Sequence, residues 1–473
     1  MRTNLLTWVV FCLIFVGVGC SVNQPTVTPT ATAVSQVIVP TETAVPPTAT
    51  TEPTPVVTET AVPPPTLEPT PAPTLPPPPT GSVLFLWDSE TFPYEGAERN
   101  HTLYLAQLGE SVAAWDVQPL LNDLFGFPIL EVSPDNTKLM FTLIEDANGD
   151  GSATQEGVNR GGDGYVLYIY EFASGQSEKL PIGLYNPFNP AWLSDDESLT
   201  YRGSVTVYLI HTDGLPGQEI AVFPEPIKWI MPSPDGSLIA VNASGLTSFI
   251  KVATGELITV TGEISGGGME PIWSPDSQWL ALHHRWTDQF FLINAATLEV
   301  SSAEATGAES YVSWSPDSQQ LLLVEIEEDS STLSFLDPHN LTISASREIS
   351  APIFIQGASD VKSVFATVAG AVWSPDGTQI ALAFSEQDVT KLAILDLLTM
   401  EVTELWEKPD VAEIHIRGWS PDGDWILFTL QQATHHSELN ILHWQGGEAY
   451  PIFVADETFP PQSIMWLAES TQP

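Results

Sequence analysis

The segment with the clearest coordination chemistry reads DANGDG and covers residues 146–151. Asp146, Asn148 and Asp150 place oxygen ligands at alternate positions, and the glycine after the third ligand favours the curled loop that Ca²⁺ requires. An EF-hand would have Glu at the twelfth position, where this chain has Gly157. The segment therefore predicts a structural Ca²⁺ site of another kind, with an unliganded polar turn as the alternative.

Other residue types that carry catalysis or bind metals lack a recognisable arrangement. His283 and His284 lie in an expected strand, where successive side chains point to opposite faces and cannot share one ion. The sequence contains no Gly-x-Ser-x-Gly, phosphate-loop or dinucleotide-binding motif. Its 59 acidic residues leave open a glycosidase-like pair of carboxylates. The residues thus favour a protein without catalytic activity, and they predict no cofactor besides Ca²⁺.

A turn motif, Ser-Pro-Asp-Gly or a variant of it, recurs every 40–60 residues. Ser and Asp side chains bond backbone amides in such a turn, Pro presets φ, and Gly accepts a positive φ. Each copy stands between two apolar strands, so we assign its Asp to turn formation and not to acid catalysis. The seven copies are Ser133–Asn136, Trp192–Asp196, Ser233–Gly236, Trp273–Ser277, Trp314–Ser318, Trp373–Gly377 and Trp419–Gly423.

Repeats of this length, each with four short strands, are typical of propeller blades. The sequence predicts an all-β β-propeller of eight four-stranded blades, with seven blades as the alternative. Further strands are expected at 83–87, 103–106 and 112–115, before the first motif, and at 463–467 near the C-terminus. That C-terminal strand would complete the N-terminal blade, because an open ring would expose unpaired strand edges.

The motif is similar to that of the WD-repeat-like, TolB-type propellers, whose hallmark is Trp-Ser-Pro-Asp-Gly before an apolar strand. Trp373–Gly377 and Trp419–Gly423 match it fully, Ser277 and Ser318 replace Gly in two copies, and the copy at Trp192 lacks Pro. The resemblance covers residues 81–473 and implies a propeller fold. The family includes periplasmic scaffolds, sensors and enzyme-attached propellers, so the fold does not identify the function.

Residues 1–20 resemble the signal peptide of a bacterial lipoprotein. The apolar stretch from Leu5 to Val18 is shorter than the ~20 residues that a membrane span needs. It ends in a lipobox-like Gly19-Cys20, although Gly17 departs from the usual aliphatic residue. Since the other cysteine of the chain is Cys12, cleavage would leave Cys20 as a lipidated N-terminus without a disulfide partner. An ordinary signal peptide or a signal-anchor helix is the alternative.

Residues 21–80 are predicted to be a disordered stalk. Residues 22–80 contain 17 prolines and 16 threonines and no Lys or Arg, and such a composition cannot bury a core. The whole chain has a net charge of −45. This charge excludes nucleic acid as a partner, because phosphate binding needs clustered basic residues.

These observations predict an exported lipoprotein on the outer or periplasmic side of a membrane, with a secreted protein as the alternative. We expect the propeller to bind or scaffold an envelope or extracellular protein, peptide or glycan. The alternatives are an extracellular glycan hydrolase or lyase and a sensor or accessory subunit. Long segments at 88–101, 144–163 and 350–371 are expected on one face of the ring, with Tyr94, Tyr185 and Trp286 exposed there for binding.

Overall fold

The computed structural model describes residues 77–88, 100–125, 129–146, 149, 164–182, 188–261, 264, 269–284, 289–304, 309–354, 370–432, 436–455 and 461–468. Within these residues, 32 strands form eight four-stranded sheets, and no helix occurs. The sheets are the blades of a β-propeller, which confirms the predicted fold and the count of eight. No helix in this part of the chain is long and apolar enough to cross a membrane.

Seven blades are continuous stretches of chain in which the strands follow one another from the innermost to the outermost position. The strands of blades 2 to 4 are β4 (Leu130–Val132), β5 (Lys138–Glu145), β6 (Gly164–Glu171) and β7 (Gln176–Lys179); β8 (Phe188–Trp192), β9 (Ser198–Arg202), β10 (Thr206–His211) and β11 (Gln218–Val222); and β12 (Ile227–Pro232), β13 (Leu238–Ala243), β14 (Leu246–Lys251) and β15 (Leu257–Thr259).

The remaining continuous blades, 5 to 8, have the same order of strands. Their strands are β16 (Met269–Trp273), β17 (Trp279–His284), β18 (Gln289–Asn294) and β19 (Val300–Glu304); β20 (Glu309–Trp314), β21 (Leu321–Ile326), β22 (Ser331–Leu336) and β23 (Ile343–Ile349); β24 (Ala371–Trp373), β25 (Gln379–Glu386), β26 (Val389–Asp396) and β27 (Val402–Pro409); and β28 (Val411–Trp419), β29 (Trp425–Gln432), β30 (Ser437–His443) and β31 (Tyr450–Ala455).

Blade 1 combines both ends of the propeller. Its sheet order is β3-β2-β1-β32, formed by β1 (Ser82–Asp88), β2 (Asn100–Ser111), β3 (Ala114–Phe125) and β32 (Gln462–Leu467). The antiparallel register pairs Val83 with Trp466. The predicted closure by the C-terminal strand is therefore confirmed, although β3 begins after Val112, which lies in the preceding turn.

The apolar cores lie between neighbouring blades. At one of these interfaces, Ala383 and Leu392 of blade 7 pack with Ile426 and Phe428 of blade 8. Because every blade buries both of its faces in this way, its central strands are apolar on both sides, and no blade has a core of its own.

The motif turns are built as the sequence predicts. In the copy of blade 7, the Ser374 hydroxyl donates to Asp376 Oδ1 at 2.7 Å, and the Thr378 amide donates to the same oxygen at 3.0 Å. The Gln379 amide donates to Ser374 Oγ at 3.0 Å, and Gly377 has a φ of +70°. Each polar side chain of the turn thus has a backbone or side-chain partner within the turn.

The motif tryptophans connect one blade to the next. They are 5–9% exposed and so belong to the core. Each indole Nε1 donates to the innermost strand of the preceding blade, at 3.1–3.2 Å. The pairs are Trp192 with Glu131 O, Trp273 with Met231 O, Trp314 with Ile272 O, Trp373 with Ser313 Oγ, and Trp419 with Val372 O.

The start of the propeller is attached at the seam between blades 8 and 1. The Thr80 amide and hydroxyl both donate to Asp422 Oδ2 at 3.0 Å, and Trp425 Nε1 donates to Pro77 O at 3.1 Å. Gly81 follows with a φ of +92°, and a Cβ at this position would collide with the carbonyl oxygen of Leu467. The sequence at the seam therefore requires glycine for two separate reasons.

Gly81→Ala is expected to destabilise the propeller more than Gly245→Ala does. Both glycines have a left-handed φ, +92° and +83°, but nothing lies within 4 Å of a Cβ at Gly245. The conformational cost at Gly245 is about 1 kcal/mol, and the collision with β32 adds to it at Gly81. The free energy of unfolding from denaturant titration measures both variants. Equal losses of unfolding free energy in the two variants would show that the seam accommodates the added Cβ without further destabilisation.

Candidate functional site

The two faces of the ring differ in the segments that they carry. The turn face holds the seven motif turns and the segment Pro77–Gly81, because β1 begins beside the turn of blade 8. The loop face holds the hairpins between second and third strands and the connections between blades. The strand ends that flank the long segments between β1 and β2, between β5 and β6, and between β23 and β24 lie at this loop face.

Most residues predicted to form a site lie outside the described residues. These are the Ca²⁺ ligands Asn148 and Asp150, the lipidation site Cys20, and the binding-face aromatics Tyr94, Tyr185 and Trp286. Asp146 is described: it follows β5, is half-buried, and its Oδ1 accepts a hydrogen bond from the Gly149 amide at 2.7 Å. Calcium binding and the aromatic binding face therefore remain predictions.

Three of the motif aspartates, Asp135, Asp235 and Asp376, are held as ionised turn residues. Hydrogen bonds from the Ser374 hydroxyl and the Thr378 amide lower the pKa of Asp376 below its ordinary value. Burial raises the pKa of the corresponding Asp135 and Asp235, but hydrogen bonds from their own turns outweigh it, so the net shift is again downward. An acid catalyst needs a raised pKa, so these residues are suited to structure and not to proton donation.

One acidic side chain on an innermost strand behaves differently. Glu131 of β4 is half-buried, and desolvation raises its pKa to about 8, against the lowering effect of the Trp192 backbone amide. The equivalent positions of the next three blades are occupied by Ala191, Met231 and Ile272. Sequence reasoning missed Glu131, because a single acid before a motif turn is not a recognisable pattern. A carboxyl that keeps its proton near neutral pH is a candidate general acid.

The innermost strand of blade 8 contains a β-bulge at Arg417. The register shifts between Ile416 and Gly418, which leaves Arg417 as an additional residue in the strand. Its Nε donates to Thr429 Oγ1 at 3.0 Å, and desolvation lowers its pKa to about 10. The bulge adds a cationic side chain to the innermost layer of a strongly acidic protein.

His283 of β17 makes a hydrogen bond between blades. His283 is 2% exposed, and its Nε2 lies 3.0 Å from the Ser310 hydroxyl of blade 6. Across the described parts of the chain, no three His, Cys, Asp or Glu side chains lie close enough to hold a metal ion. His283 therefore joins two blades through a hydrogen bond.

A cleft of about 300 Å³ lies between blades 7 and 8, and we call it the blade 7–8 cleft. Trp406 of β27 and Pro451 and Val454 of β31 provide apolar lining, while Lys408, Glu438 and Asn440 provide polar lining. The Lys408 ammonium donates to Glu438 Oε1 at 3.2 Å, and the Asn440 amide donates to Glu438 Oε2 at 3.2 Å. No sequence pattern pointed to this cleft, because its residues come from strands without a motif.

Comparison with known proteins supports the fold and does not identify a function. No protein-family model and no curated protein matches the chain. A crystal structure of a eukaryotic initiation factor matches with a TM-score of 0.55 and 13% identity, over 82% of this chain and 98% of that one. Dihydro-heme d1 dehydrogenase NirN matches with a TM-score of 0.51 and 11% identity, over 83% and 76% of the two chains.

TolB from Acinetobacter baumannii also matches, with a TM-score of 0.33 and 17% identity, over 64% of this chain and 79% of that chain. The propeller fold that the motif predicted is shown by the eight four-stranded sheets themselves. Activities of the matched proteins do not transfer at such low identities.

Asp376→Asn is expected to lower stability at pH 7 by about 1 kcal/mol, and this loss should shrink as the pH falls below the ordinary carboxyl pKa. A carboxylate with a lowered pKa stabilises the folded state above its unfolded pKa, and this contribution is lost as the pH falls through the folded pKa. Denaturant titrations of both proteins across pH 2–7 test this. Glu328→Gln, at an exposed carboxyl of a hairpin, is the control. A difference that does not shrink towards pH 2 would contradict the assignment.

Proposed function

We propose that this protein is an extracytoplasmic binding or scaffolding module without catalytic activity, tethered to a membrane by a lipid on Cys20. The observation that carries the proposal is the position of Pro77–Gly81, which bind blade 8 at the turn face. A tether that ends there leaves the loop face free, together with its long connections. An envelope or extracellular protein, peptide or glycan would bind on that loop face.

The stalk and the charge of the chain support the same proposal. Residues 22–80 in an extended form would span roughly 180 Å at ~3.1 Å per residue, enough to hold the propeller well away from a membrane. The net charge of −45 would repel an anionic membrane surface. Contact with the membrane would therefore be confined to the lipid.

Glu131 supports a second candidate function, an enzyme that degrades an extracellular glycan. Its raised pKa, about 8, would let it protonate a leaving group near neutral pH. Glycoside hydrolysis uses a second carboxylate about 5–10 Å away. The binding function is preferred because it needs no second acid.

Cys20→Ser is expected to release the protein from the membrane fraction and to abolish labelling by a fatty acid. Lipid on the N-terminal cysteine would be the sole anchor after cleavage at Gly19. Cys12→Ser is the matched control, because it removes the only other cysteine and should leave labelling and fractionation unchanged. Membrane retention of the Cys20→Ser protein would contradict the lipid tether.

The binding function is tested by capture from native cell-envelope extract on the immobilised full-length protein. We expect one saturable partner, lost in the Tyr94→Ala and Tyr185→Ala variants. Leu398→Ala is the control, since Leu398 lies in a turn between third and fourth strands, at the turn face, and is 93% exposed.

Glycan degradation without capture of a partner would favour the second candidate function, an enzyme. If no partner is captured, and the protein instead depolymerises an envelope glycan by a reaction that Glu131→Gln abolishes, the binding proposal is wrong. The two candidate functions thus give different results with the same extract.

A further inference from the structure

The polar lining of the blade 7–8 cleft lies towards the loop face of the propeller. β27 ends at Pro409, directly before β28 of the next blade, and the lining residue Lys408 stands at that end. Glu438 is near the start of β30, and it pairs with Val454 near the end of β31. These strand ends all belong to the loop face, the side away from Pro77–Gly81. A ligand in the cleft would therefore not compete with the attachment at the seam.

An aromatic residue in the outermost strand is not a general feature of these blades. The outermost strands of blades 2 to 6 are β7, β11, β15, β19 and β23, and none of them contains Phe, Trp or Tyr, whereas β3 of blade 1 and β31 of blade 8 do. Blade 7 has Trp406 in its outermost strand, where the indole packs on Phe428 with 5.6 Å between ring centroids. Trp406 is half-buried, so part of its ring surface remains available in the cleft.

The polar part of the cleft is held in a defined arrangement. Glu438 Oε1 accepts hydrogen bonds from Lys408 at 3.2 Å and from the Gln432 amide at 3.0 Å, and the Asn440 amide donates to Oε2 at 3.2 Å. The His436 ring also lies 3.5 Å from Glu438 Oε1. Lys408 carries three N–H donors, and the Asn440 amide has two donors and an acceptor. Lys408 uses one donor on Glu438 and has others left for a ligand, whereas Asn440 is 2% exposed and serves to hold the Glu438 carboxylate in place.

The charge of the lining disfavours an anionic ligand. The charged lining residues are Glu407, Lys408 and Glu438, of which the last two form an ion pair and neutralise each other. The remaining Glu407 and the acidic protein as a whole repel an anion. The volume, about 300 Å³, is at the lower end of the range for small-molecule sites.

We propose that the blade 7–8 cleft binds a short segment of a neutral saccharide, with a pyranose ring against Trp406 and its hydroxyls on Lys408 and Glu438. A pyranose presents C–H groups on one face, which suit the electron-rich face of an indole. Its equatorial hydroxyls donate and accept at the rim, where Lys408 donates and Glu438 accepts. The inference rests on the proposed binding function and names a ligand class and a site for it.

The test uses the full-length protein on an array of neutral oligosaccharides, with uronate oligosaccharides and proline-containing peptides printed beside them. A neutral saccharide that binds is then titrated by calorimetry. Trp406→Ala is expected to weaken its affinity by about tenfold or more, since buried indoles dominate small interfaces. Lys408→Met, which keeps the aliphatic stem, is expected to weaken it by about fivefold, from the loss of one donor.

Two matched controls separate ligand contact from folding. Trp444→Ala removes a half-buried tryptophan of blade 8, in the turn after β30, and Lys251→Met removes an ion-paired lysine of blade 4. Both should bind saccharide as the parent protein does. Thermal unfolding is measured for all four variants, and Lys408→Met keeps the test decisive if Trp406→Ala does not fold.

Three results would overturn the proposal in different ways. Saccharide binding that is unchanged in Trp406→Ala and Lys408→Met would refute the cleft and leave the binding function intact. Binding of peptides instead of saccharides, lost in the same variants, would refute the ligand class. If the parent protein binds no saccharide on the array, the saccharide assignment is wrong, while envelope capture still decides the binding function.

Discussion

Pairing of β1 with β32 is the interaction on which the rest of the propeller depends. Every blade buries its two faces against neighbours, and no blade can do so alone. The chain is linear, so one interface must join its two ends, and here it does so through main-chain hydrogen bonds within blade 1. Gly81 permits the close approach to Leu467, and Thr80 and Pro77 bind the blade on the other side of the seam. Without the pairing of β1 with β32, blades 1 and 8 would each expose an apolar face.

Residues that depart from the motif also connect neighbouring blades. Ser277 and Ser318 occupy the position of the motif glycine with a φ of +62°, which costs energy for a non-glycine residue. Their hydroxyls accept hydrogen bonds at 3.0 Å from the amides of Asp235 and Asp276, one blade earlier. Asp196 does the same for the amide of Asp135 at 2.7 Å. A copy that reads as degenerate in the sequence thus gains a bond between blades that glycine cannot make.

The sequence predicted the ring because local turn chemistry repeats along the chain. The turn at Trp373–Gly377 can be recognised without knowing its neighbours, and the spacing of such turns gave the number of blades. The blade 7–8 cleft could not be predicted in this way. Trp406, Lys408 and Glu438 are brought together by the packing of two blades, and no short motif encodes such an arrangement. The bulge at Arg417 and the raised pKa of Glu131 likewise depend on register and desolvation, which appear only in the folded molecule.

The attachment at the turn face also determines how the protein would carry a mechanical load. If the loop face holds a partner while the stalk is under tension, the force enters at Pro77–Gly81 and runs along the length of β1 towards the loop face. The hydrogen bonds of β1 to β2 and β32 are perpendicular to that direction. They would be loaded together, in shear, and not broken one after another by peeling. β1, which pairs with the ring-closing strand β32, is therefore placed to resist pulling along the proposed stalk.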